Sequence, residues 1–151
     1  MIAVVAYLHS LSMIALGSLL FAQLLFIDKL HDRQQFQHFL FFCIGVAVAA
    51  VVILASGVTL TFSSERGSAF FLHNPVFYIK LAVFAAMLLI AITPARIVLQ
   101  WNREAGMGTV PEPISVLVVK RYVVVELILL LVVPLAASLA AQGIGLQSSS
   151  S

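Results

Sequence analysis

Apolar residues in this chain do not alternate with polar ones, and they do not recur once per turn. They run on. Four stretches, about residues 3–27, 37–62, 75–100 and 115–141, are apolar around the whole helical circumference, and most charged residues fall between them or at their ends. A helix apolar on every side has no water-facing stripe, and about 20 such residues cross the hydrocarbon core of a bilayer. Four runs cannot close a barrel, and lipid offers backbone groups no water partner, so the spanning elements must be helices. The pattern predicts an all-α integral membrane four-helix bundle, a single domain over residues 1–147, followed by a mobile serine tail at 148–151.

Composition sharpens this picture. Of 151 residues, 62% are hydrophobic and 9% charged, and mean hydropathy is +1.14. Soluble domains run at about 45–50% apolar and about 25% charged, so a water-soluble globule and a disordered chain are both excluded. Net charge is +2, too small for a nucleic-acid-binding surface. The single Cys43 excludes a disulfide framework and a multi-cysteine metal site. The first run lacks a basic leader and is longer than a signal-peptide core. Asp28-Lys29 follows it in place of a small-residue cleavage site, so it reads as a retained helix.

Local chemistry marks the boundaries. Asn74-Pro75 is a start signal for the third helix, Trp101 suits the headgroup region at its far end, and Pro94 and Pro134 should kink their helices. Lys29, Arg33, Arg96, Arg103, Lys120 and Arg121 flank the first and third loops, whereas Arg66 alone marks the second. The positive-inside rule then places loops one and three in the cytoplasm and both termini on the outer, periplasmic side of a bacterial inner membrane.

Polar residues within the apolar runs are expensive and need partners. His9, Ser12 and Gln23 fall within about 60° of one another on the first helix, a stripe that should face the bundle. His9 reads either as a neutral histidine hydrogen-bonded to a neighbouring helix or as a haem or metal ligand. Lys80, early in the third helix, either snorkels to the surface or turns inward to hold an anionic group such as a propionate. His73, Glu65 and Arg66 lie on the same side. Deeper in the bundle, Glu126 should point inward, and Arg96 is the expected ion-pair partner, with Gln23 as a third member. Arg96 reaches it only if Pro94 reorients the helix end. His31 and His38 are expected at the interface, and Ser56, Thr59 and Thr61 are expected to bond back along the second helix. No HExxH, phosphate-binding glycine loop, nucleophile elbow or zinc spacing occurs, and no metal site is expected. Gly45/Ala49, Ala82/Ala86 and Ala136/Ala140 are small-residue pairs suited to helix packing.

The segment from Glu65-Arg66-Gly67 through Phe70-Phe71, Asn74-Pro75 and Phe77-Tyr78 to Lys80 resembles the signature of a bacterial family. That family comprises predicted four-helix membrane proteins catalogued as a domain of unknown function. A histidine near the start of helix one, and Arg121, Glu126, Pro134 and Gly143 around helix four, are similar as well. The chain departs from the family in having Gln23 near an expected acid and no arginine around Leu60. More distantly, a histidine in helix one with a lysine in helix three resembles the four-helix membrane protoporphyrinogen oxidases and the copper-resistance membrane proteins.

Two functions follow. The favoured one is a non-catalytic binding or assembly subunit that packs in a larger energy-transducing membrane complex, with other membrane subunits or a second copy as partners in the lipid bilayer. The alternative is a haem b- or porphyrin-binding redox protein, or a porphyrinogen oxidase. There His9 would be the ligand, Lys80 the propionate partner, and His73 a further cofactor contact.

Overall fold

The computed structural model describes residues 2–30, 33–63, 75–107 and 112–141. Among them four long helices make the fold: α1 (Ile2–Phe26), α2 (Arg33–Phe62), α3 (Pro75–Ala105) and α4 (Pro113–Ala141), with a 3₁₀ turn, Ile27–Lys29, closing α1. Each hydrogen-bonds its backbone internally, the arrangement an apolar solvent demands. Three of the four are long and apolar enough to cross a membrane. The fourth, α4, carries Lys120, Arg121 and Glu126 in its first half.

Large apolar side chains face outward from every helix: Ile14 on α1, Phe41 on α2, Leu89 on α3 and Leu131 on α4, each about 70% exposed (68%, 72%, 68% and 72%). Water would not tolerate this coat; lipid chains match it. The inside is a narrow seam. On α1 the buried positions are Leu16, Leu20, Gln23 and Ile27, and on α4 they are Val119, Val123, Glu126 and Leu130, the three-and-four spacing of one helical face.

Neighbours in sequence are neighbours in space. α1 packs most extensively on α2, and α3 on α4, while α1–α4 and α2–α3 contacts are sparser. Between lipid-soaked helices there is no hydrophobic drive to associate, so close van der Waals packing over small residues must serve. Gly45 shows this: a Cβ built there would stand 3.0 Å from the Leu19 side chain of α1. At the α4 start, Asp28 closes an ion pair with Lys120 at 2.5 Å, both side chains well exposed. An exposed pair of this kind contributes about 0–1 kcal/mol.

Several boundaries and orientations differ from the sequence reading. α2 begins at Arg33, a turn before the apolar run, because Arg33 to Gln37 contain no helix breaker. α3 continues past residue 100 to Ala105, supported by a Gln100 Nε2 to Glu104 Oε1 hydrogen bond of 2.7 Å, and stops at Gly106. That extension carries Trp101 onto the inward line of Met87 and Val98. The indole is 3% exposed and packs edge-on against Phe36, centroids 6.4 Å apart. It is a core residue and does not present its ring to headgroups. Pro75 and Pro113 open α3 and α4, where the missing N–H has no helical acceptor to serve. Pro94 and Pro134 lie inside helices that run through them. Asn74, Glu65, Arg66, Phe70, Phe71, His73, His31, Gly143 and the tail 148–151 lie outside the described residues.

Candidate functional site

Two cavities open along the α2–α3 seam, one of the two sparser seams of the bundle. They lie at opposite ends and share Leu54 as a common wall.

The first, of about 310 Å³, lies at the end of the bundle where α1 starts. His9 and Lys80 both line it, with Gly57 and Thr61 of α2 and Leu130 of α4. All four helices therefore contribute. The stripe on α1 carries His9 inward because it lies two turns before Leu16, on the edge of the buried face. His9 Nδ1 is 2.9 Å from Ser56 Oγ on α2. Ser56 Oγ also contacts the Val52 carbonyl at 2.5 Å and the Ile53 carbonyl at 3.1 Å. A serine hydroxyl has one proton. We assign it to the Val52 carbonyl, the shortest of the three contacts, so His9 Nδ1–H donates to Oγ and Nε2 keeps its lone pair. The ring approaches α2 closely because residue 57 is glycine: a Cβ there would stand 3.3 Å from His9 Cε1 and 3.8 Å from Nδ1.

Lys80 is half-buried in the second turn of α3 and forms no ion pair with a described residue. The cavity thus pairs a positive charge with an imidazole, within walls that are otherwise almost wholly apolar. Such a surface suits a ligand with one acidic or electron-accepting edge and a greasy remainder. Phe62, Leu81 and Val58, exposed at its rim, leave it open sideways to lipid.

The second cavity, of about 350 Å³, lies at the other end. Gln23, Cys43 and Glu126 meet there, with Pro94 and Val98 of α3 in its wall. Gln23 Nε2 donates to Cys43 Sγ at 3.3 Å. Glu126 is 4% exposed, and its Oε1 has no hydrogen-bond partner among the described residues. The expected Arg96–Glu126 ion pair is absent: Arg96 is exposed. The reason is angular. Pro94 and Val98 are buried and lie four residues apart on one line; residue 96 is about 200° from each, on the opposite side of α3, and Pro94 does not turn it in. No group of three or more metal-ligating side chains occurs among the described residues.

With this geometry in view, the sequence can be placed among known proteins. A family model described as a predicted membrane protein, DUF2214, matches residues 1–145. The chain belongs to that family. The match spans all four helices of this DUF2214 member. Comparison with curated proteins and with solved structures gives no match.

Ser56 and Gly57 are the site features that sequence reasoning missed. Ser56 was expected only to bond back along α2, and it does, as do Thr59 and Thr61. A signal existed: Ser56 and His9 lie at nearly equal distances from residues 32–33, where the chain turns into α2, as do Cys43 and Gln23. In an antiparallel helix pair such positions face each other.

Proposed function

We propose that this protein is a non-catalytic ligand-binding subunit of the bacterial cytoplasmic membrane, with both termini on the periplasmic side. Its cavity between His9 and Lys80 takes an amphipathic ligand with an anionic group. Haem b or a porphyrin is the concrete candidate. His9 Nε2 would be the iron ligand and Lys80 the partner for a propionate. The observation that carries this reading is the His9–Ser56 hydrogen bond: engaging Nδ1 leaves Nε2 as the free ligand atom, the way metal-binding imidazoles are oriented. A greasy macrocycle can lodge its polar edge in the cavity and leave the rest among lipid chains.

The test is the absorption spectrum of the protein purified in mild detergent from haem-replete cells. A Soret band that falls sharply in His9→Ala, and less in Lys80→Met, supports the reading. A colourless protein that also fails to take up added haemin overturns it. The role of an assembly subunit beside other membrane proteins then stands in its place, and His9 is a structural residue.

A further inference from the structure

Glu126 presents a different problem at the opposite end of the bundle. A carboxyl group buried in an apolar wall normally has a cation or several donors beside it. Here the one cation expected to serve, Arg96, faces away. Lys120 is engaged with Asp28, and Arg121 is exposed. Gln23 lines the same cavity, and one N–H of its amide is given to Cys43. Glu126 Oε1 is left without a partner among the described residues. As a carboxylate in an otherwise mostly apolar lining, Glu126 calls for a group with N–H donors and a positive charge. A quinone or a fatty acid would bring acceptors to a site that has them already.

Access is from the side. Val51, Leu54, Leu88 and Ile92 line the cavity and are also exposed on the outer surface between α2 and α3, so the opening faces lipid chains and not water. Small residues, Ala47, Ala91 and Ala95, keep the gap between the two helices open.

We propose that this cavity is a second binding site, which admits a lipophilic primary amine from the bilayer and holds its ammonium group on Glu126. The alkyl portion lies in the cleft between α2 and α3. One ammonium N–H donates to Glu126 Oε1, the buried oxygen that has no partner among the described residues. The ligand supplies the countercharge that the chain does not. This site is independent of the one at His9 and Lys80.

The full-length protein in lipid nanodiscs is incubated with a long-chain primary alkylamine bearing a diazirine, irradiated, and mapped by peptide mass spectrometry. Label should concentrate on α2 and α3 residues around Ala47, Val51 and Ile92. Dodecylamine should compete, whereas dodecanol and dodecanoate should not. Glu126→Gln, which preserves shape and removes the charge, should lower labelling by about tenfold or more, as loss of a charge-assisted hydrogen bond would. Ala91→Leu, which narrows the cleft and leaves the carboxyl in place, should lower it too. Phe41→Ala on the lipid-facing side of α2 should not. Label spread evenly over lipid-exposed helix faces overturns the proposal. So does equal competition by dodecanol, or undiminished labelling of a helical, monodisperse Glu126→Gln protein.

Discussion

Replacing Gly57 with alanine sets a favourable backbone effect against an unfavourable contact, and the structure says which prevails. In a helix interior alanine is better than glycine by about 0.8–1 kcal/mol. The new methyl, however, would stand 3.3 Å from His9 Cε1 and 3.8 Å from Nδ1, the only atoms of another helix within 4 Å among the described residues. The ring must retreat by a few tenths of an ångström, which loosens the 2.9 Å bond to Ser56. Overpacking of this kind costs about 1–3 kcal/mol, and a weakened hydrogen bond forfeits part of about 0.5–1.5 kcal/mol. The net expectation is a loss of about 1 kcal/mol. In a His9→Ala background the same methyl meets open space, and Gly57→Ala should stabilise by up to about 1 kcal/mol. The double-mutant cycle should therefore show a coupling of about 2 kcal/mol. Reversible unfolding in mixed dodecyl maltoside–SDS micelles, followed by far-ultraviolet circular dichroism, measures all four proteins. If the free energies add to within about 0.5 kcal/mol, the close approach of α2 to the imidazole is not what holds His9 in place.

Three further outcomes follow from the same structure. Trp101→Ala should cost about 3–5 kcal/mol in that unfolding assay, as expected for a buried indole, whereas Phe41→Ala on the lipid side should cost far less; equal losses would mean that Trp101 is not in the core. Glu126→Leu and Arg96→Leu should be additive to within about 0.5 kcal/mol, because the two side chains share no contact, and strong coupling would restore the ion pair expected from sequence. Cysteines introduced at Asp32 and Gly106 in a Cys43→Ala background should resist a membrane-impermeant thiol reagent in intact cells while one at Ser68 reacts; the reverse pattern would invert the proposed orientation.

The architecture was legible in the linear pattern. Hydrophobicity over a window of about 20 residues decides whether a segment enters lipid, and once there its backbone has no choice but to be helical. The inward faces of Gln23 and Glu126 could also be read, since a polar group in an apolar helix is driven away from lipid. Helix ends were less accessible: Arg33 and Ala105 extend α2 and α3 beyond their apolar runs because helix propensity and i,i+4 side-chain bonds continue past the hydrophobic boundary.

What sequence did not decide was partnership. It joined Glu126 to Arg96 on the ground that opposite charges at similar depth should meet, but depth is only one coordinate. The angle about α3 sends Arg96 outward while Pro94 and Val98 face in. It likewise gave His9 an unnamed neighbour, and only the register of α1 against α2 brought in Ser56 and the bare backbone at Gly57. Burial of a residue depends on its own helix and the solvent around it, which local pattern encodes. A contact depends on the rotation and register of two helices at once, and these are set by the packing of the whole bundle.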